Sequence, residues 1–202
     1  MGRYIGPRCR LMRREGTNLD LKKNWNIERR ESPPGQHGLQ KTKLSNYGIQ
    51  LREKQKAKRY YGILEKQFRN YFRKAAATKG ITGQTLLQYL EIRLDNVVYQ
   101  MGFALTRSQA RQMVSHALVR LNGKKVDIPS IQVKPNDVIT VKEKPATQKL
   151  AKINIEMNKG WAPPAWLEVD NDKLTGKVVR LPMREDIKAP VNEQLIVELY
   201  SR

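Results

Sequence analysis

Cysteine occurs once among 202 residues, at Cys9. That excludes an internal disulfide framework and fits a reducing compartment. Acid is scarce as well: 19 Asp+Glu stand against 39 Lys+Arg, a formal net charge of +20. No run of about 18 uncharged apolar residues occurs, so no spanning helix is expected. The first fourteen residues are basic from the start and hold no apolar run, which excludes a secretory signal there. The patterns G-x-S-x-G, GxxxxGK[ST] and H-E-x-x-H are missing, and only His37 and His116 supply imidazoles. What is present is 39% hydrophobic residues, enough for one large domain or two small ones. The expectation is a soluble, intracellular, cationic chain that needs a polyanion.

The charge is uneven. Residues 1–80 hold 21 Lys+Arg against 6 Asp+Glu, whereas 81–202 hold 18 against 13. Three quarters of the excess therefore sits in the first two fifths of the chain. Like charges repel in a compact state, so folding alone gains nothing from such a surplus. Nucleic acid, an anionic membrane surface or an acidic protein would offset it. Membrane binding asks for a basic amphipathic helix with a bulky apolar face. Residues 1–48 instead scatter Gly2, Gly6, Pro7, Gly16, Pro33, Pro34, Gly35, Gly38 and Gly48 among cations, with no sustained apolar period. They read as an extended basic arm over 1–44, ordered largely by what it touches. Ser32–Gly38 reads as a rigid turn whose glycines allow close backbone approach to a partner.

From Gln50 to Lys79 the pattern is helical, with Arg52, Lys54, Lys56, Lys58, Arg59, Arg69 and Arg73 as a dense cationic surface. Tyr60, Tyr61 and Tyr71 lie among these cations, either as rings for stacking on unpaired bases or as half-buried core. Residues 82–101 read as one helix capped by Thr82 and ended by Gly102. Glu91 and Asp95 on it could pass for paired carboxylates, but ordinary ion pairs with Arg93 account for them.

Thr106-Arg107-Ser108-Gln109 matches a capping box. At 100° per residue, Ala110, Met113, Val114 and Ala117 share one arc, and Arg107, Ser108, Arg111, Gln112, Ser115 and His116 share the other. A generic solvated face mixes signs and includes Glu. This one pairs Arg with neutral hydrogen-bonding groups, which suits phosphates and 2′-hydroxyls of RNA. Asn122-Gly123 between short apolar runs is a hairpin signal, and Lys124-Lys125 put cations at its tip. With Val138–Val141 as a third strand, residues 91–143 read as two helices on a three-stranded antiparallel sheet.

Arg93–Val98, Thr106–His116 and Val119–Gly123 together resemble the small S-four RNA-binding domain. Around that module, residues 1–7 (MGRYIGP), 34–38 (PGQHG), 51–56 (LREKQK), 67–70 (QFRN) and 191–202 (VNEQLIVELYSR) are similar to the ribosomal protein S-four family of bacterial or organellar small subunits. The likeness runs nearly end to end, with interruptions near 20–32 and 145–163. It implies an α+β fold: the arm 1–44, a helical domain 45–90 continued by 165–202, an inserted RNA-binding domain 91–155, and a C-terminal segment 156–202 closing on the helices. It further implies 16S-type rRNA bound at a 5′-domain junction, early nucleation of the subunit body, contact with ribosomal protein S-five linked to accuracy, and a place near the mRNA entry channel. The compartment expected is the cytoplasm, with plastid or mitochondrion open.

Some relatives carry a zinc-binding cysteine cluster in the arm. Cys9 stands alone here, so neither a metal nor any other cofactor is expected. An appended catalytic domain would not fit in the remaining chain, and no small-molecule substrate or membrane is expected. A free RNA chaperone built on the same module is the rival, though such proteins are typically shorter and do not need Val191–Arg202. The expected RNA ligands are Arg3, Arg8, Arg10, Arg13, Arg14, Gln36 and His37 in the arm, and Arg52, Lys54, Lys56, Arg59, Arg69 and Tyr71 in the helical part. In the module they are Arg107, Ser108, Arg111, Gln112, Ser115, His116, Asn122, Gly123, Lys124 and Lys125.

Overall fold

The computed structural model describes residues 4–22, 32–40 and 43–201, and Arg3 lies outside them. The chain divides into two compact units, one of Met1–Leu87 with Lys188–Arg202 and one of Gln88–Ile187. Among the described residues no helix is long and apolar enough to cross a membrane.

In the first unit the expected arm is not extended throughout. Residues Arg8–Glu15 form α1, which ends on Gly16 at φ +62°, and its last turn carries Arg13 and Arg14 where the helix dipole favours cations. Met12 and Leu19 are wholly buried, so this segment owns part of the core. In the 32–38 turn the Gly38 N–H donates to the Gly35 carbonyl at 3.2 Å. A Cβ on Gly38 would lie 2.0 Å from the Pro33 carbonyl oxygen, so the close approach that glycine permits is to the chain itself.

The pattern over 50–79 resolves into two helices, α2 (Asn46–Tyr60) and α3 (Glu65–Ala77). Ser45 caps α2 by accepting from the Gly48 N–H. Gly62, at φ +64°, turns the chain between the helices. Helix α4 (Thr82–Glu91) follows, and the division into units falls within it. The C-terminal α8 (Glu193–Tyr200) is capped by the Asn192 side chain and buries Ile196. It meets α2 through Gln50 Nε2 donating to Glu198 Oε2 at 2.8 Å.

The second unit departs from expectation in two places. The helix read over 82–101 is broken at Arg93, which is extended (φ −66°, ψ 136°), before α5 (Leu94–Gln100). Tertiary pairing overrides helical periodicity here: Arg93 bridges to Gln132, and Val133 N–H donates to the Ile92 carbonyl at 2.9 Å. Helix α6 (Arg107–Ser115) then precedes β1 (Val119–Leu121), β2 (Lys124–Lys125) and β3 (Val138–Val141). Both hairpin residues take positive φ, Asn122 at 51° and Gly123 at 76°.

The sheet also has five strands rather than three, in the antiparallel order β2-β1-β3-β5-β4. β4 (Leu167–Asp170) and β5 (Thr175–Val178) come from the segment assigned to the helical domain, so 165–187 belongs with the sheet and only Lys188–Arg202 with the helices. Ile139 pairs with Gly176, where a Cβ would meet Met101 Sδ at 2.6 Å, and the glycine lets that side chain lie against the strand. Helix α7 (Pro145–Met157) occupies the stretch where the resemblance lapses. Its buried Asn154 donates to the Phe103 carbonyl at 2.9 Å and accepts from Gln109 Nε2 at 3.2 Å. Phe103, Trp166 and Ile139 are wholly buried in the core of this unit.

Candidate nucleic-acid interface

Much of the expected cationic surface of the first unit is spent within the unit. Arg8 donates to the Leu21 carbonyl at 3.2 Å, Arg13 to those of Ser32 and Pro33, and Arg14 to that of Pro34 at 2.8 Å. Arg52 and Arg59 both reach the buried Glu15 carboxylate. Burial pushes the Glu15 carboxyl above its ordinary range, against the pull of Arg59 and Arg52. Lys54 pairs with Glu65 at 2.8 Å and Lys56 with Glu53. Arg52, Lys54, Lys56 and Arg59 thus each meet a carboxylate of the same unit, where the few acids of this half are placed to pair with them. Tyr60, Tyr61 and Tyr71 are buried, so no tyrosine of that group offers a stacking face. Arg10, Gln36, His37 and Arg69 are exposed.

Glu65 gathers three donors. Its Oε1 accepts from Lys54 and from Tyr200 Oη at 2.9 Å, and its Oε2 from Lys58 at 3.2 Å. Burial alone would raise its pKa, but the bonds from Lys54, Tyr200 and Lys58 outweigh burial and hold it below its usual 4.5. Tyr200, stacked on Phe72 at 4.5 Å, is pushed up by burial and by its bond to Glu65. A carboxylate depressed in the fold contributes stability above its unfolded pKa and loses it as pH falls through the folded value. Melting temperature should therefore fall below about pH 4.5 less steeply in Glu65→Gln than in the parent, a difference that thermal scans across pH 3–6 measure.

In the second unit, α6 begins as its sequence pattern predicts. Thr106 Oγ1 accepts from the Gln109 N–H at 3.3 Å, and Gln109 Oε1 accepts from the Leu105 N–H at 2.7 Å. Ala110, Met113, Val114 and Ala117 are buried, while Gln112, Ser115 and His116 are exposed. Arg107 departs from the wet arc. It is only 7% exposed, its Nε donates to Asn96 Oδ1 at 2.8 Å, and its guanidinium lies 4.4 Å from the Tyr99 ring centre. At the first turn of a short helix the long side chain can fold back across α5, which an angular projection does not register.

Arg111, half-buried, donates to Asp95 Oδ2 at 3.1 Å, and Arg93 binds both Asp95 oxygens, at 3.0 and 2.7 Å. Glu91 accepts from Gln100 at 2.7 Å instead of facing Asp95 as a partner. Asp95 thus locks Arg111 in place at the edge of the wet face, where Ser108, Gln112, Ser115 and His116 continue it. Of the hairpin residues, Asn122 is committed to its own loop, donating to Asp137 at 2.8 Å and accepting from the Val138 N–H. Gly123, Lys124 and Lys125 are exposed, and among the described residues the structure shows no ion pair to either lysine. Arg120, absent from the expected RNA ligands, faces Lys125 across the strands. The signal was there, since Arg120 is the polar member between apolar Val119 and Leu121.

Comparison with known proteins gives two family matches. The Ribosomal protein S4/S9 N-terminal domain matches residues 3–91, and the S4 domain matches 92–139. The small ribosomal subunit proteins uS4 of Thermoanaerobacter sp. (strain X514) and of Thermoanaerobacter pseudethanolicus (strain ATCC 33223 / 39E) are each 56% identical to this chain over 208 aligned positions, covering all of both partners.

Proposed function

This chain belongs to the S4 family of ribosomal proteins, and from that premise we propose that it is a structural constituent of the small ribosomal subunit that binds 16S-type rRNA. The observation carrying the reading is the pairing, in one unit, of an α6 face free of carboxylates with a hairpin whose Lys124 and Lys125 have no acidic partner among the described residues. Phosphate contacts position, and neutral groups on the same face read the shape and hydroxyls of a folded RNA. In the other unit, the exposed Arg10, Gln36, His37 and Arg69 supply contacts of their own. Arg107 acts within the protein and leaves the contact set, as do Tyr71 and the paired cations of α2.

The finer role follows from the family resemblance: binding at a 5′-domain junction, nucleation of the subunit body, contact with ribosomal protein S-five with an influence on accuracy, and proximity to the mRNA entry channel. The role is architectural and needs no cofactor. Co-sedimentation tests it against the free-chaperone reading. The chain should stay with purified small subunits through a high-salt wash, and its release into the supernatant would decide for a free RNA binder. Affinity of the isolated chain for 5′-domain rRNA should fall with salt at a log–log slope of roughly 0.7–0.9 per phosphate contact.

A further inference from the structure

The inner face of the sheet carries Val119, Ile139, Val141 and Val178 and is buried. The outer face is a continuous cross-strand row: Lys125 opposite Arg120, Arg120 opposite Thr140, Thr140 opposite Thr175, and Thr175 opposite Asp170. Every member of that row is at least partly exposed. Residues directly opposite in an antiparallel pair put their side chains on the same face about 5 Å apart, and like charges so placed are destabilising. Arg120 and Lys125 are such a pair. No carboxylate occurs in β1, β2 or β3, and the structure shows no ion pair to either residue among those described. The acids of this face stand at the far edge, Glu168 opposite Lys177 and Asp170 opposite Thr175. The sheet is thus polarised, with two uncompensated cations on β1–β2, hydroxyls in the middle and carboxylates on β4.

We propose that the β2–β1–β3 half of this outer face is a second RNA-backbone site, in which Arg120 and Lys125 bracket a phosphate and Thr140 and Thr175 bond to adjoining phosphate or 2′-hydroxyl oxygens. It rests on the rRNA-binding reading above and extends it: the RNA contacts continue from the hairpin tip onto the sheet. A phosphate between the two cations supplies the negative charge that the fold withholds, and Arg is suited to bidentate recognition of it. An acidic protein would meet the same cations, but the neighbouring hydroxyls match a ligand that offers both acceptors and donors, as a ribose-phosphate chain does.

The test uses the full chain and 5′-domain rRNA in filter binding over a salt series, comparing the parent with Arg120→Gln/Lys125→Gln, Lys177→Gln and Arg111→Gln. The double variant should bind about tenfold or more weakly at low salt and lose about 0.7–0.9 from the log–log slope, as expected for the one phosphate the two cations share. Lys177→Gln, on β5 opposite Glu168 and outside the proposed site, should bind as the parent does. The free double variant should melt no lower than the parent, because a repulsion has been removed. If the double variant keeps parental affinity and slope while Arg111→Gln weakens binding, the sheet site is wrong and the α6 reading stands. If the parent itself shows no salt-dependent binding, the rRNA reading falls first. A lower melting point in the double variant would make the pair structural and overturn the site, and displacement of rRNA by polyglutamate at equal charge would transfer the face to acidic proteins.

Discussion

Asp95→Ala should lower the unfolding free energy of the sheet-bearing unit by about 3–5 kcal/mol, the cost typical of removing one partner from a buried ion pair. Asp95 is 5% exposed, and its two oxygens accept four bonds: two from Arg93, one from Arg111, and one from the Asn96 backbone N–H at 3.0 Å. Its loss removes the carboxylate that two guanidinium groups share, one of them 2% exposed. Urea denaturation followed by tryptophan fluorescence measures the effect, because Trp161 and Trp166 both belong to this unit. Asp95→Asn keeps the shape and part of the bonding and should cost less. A loss below about 1 kcal/mol for alanine would mean that both arginines relax into water, and that the cluster does not position α6.

Arg107→Ala should behave as a core substitution and not as a lost RNA contact. The charge-assisted bond to Asn96 contributes about 1.5–3 kcal/mol. The guanidinium over Tyr99 adds roughly 0.5–2 kcal/mol. A destabilisation of about 3 kcal/mol is expected in the urea midpoint, with rRNA affinity of the refolded, cooled protein within about threefold of the parent. Arg111→Gln should show the reverse balance, with a small stability change and a clear loss of affinity. An unchanged midpoint combined with lost binding would return Arg107 to the RNA face.

The contrast between these two arginines shows which parts of the molecule were legible beforehand. Local rules were sound where one helix or one turn decides the outcome: the Thr106–Gln109 cap, the Asn122-Gly123 hairpin and the buried arc of α6 all stand as read. Failures came where a distant segment intervenes. Gln132 and Val133 pull Arg93 out of a helix that its leucine spacing supports. Glu15 reaches α2 from 37 and 44 residues away to claim Arg52 and Arg59. A cation count along a helix cannot distinguish an open charge from one already paired through the fold. The strands at 167–178 lie in the stretch that the resemblance assigns to the helical domain, and nothing in them names β3 as neighbour, because pairing partners in a sheet are set by tertiary context.

The five-strand order has a bearing on how the molecule is made. The matched S4 domain stops at residue 139, inside β3, yet the hydrogen-bonding partner on the far side of that strand, β5, begins only at Thr175. During synthesis β3 emerges some three dozen residues ahead of that partner and is a transient edge, open to another chain. A fragment trimmed to the domain boundary would keep this edge exposed permanently and lack Trp166 from its interior, so excising the module for separate study calls for a cut after Ile187.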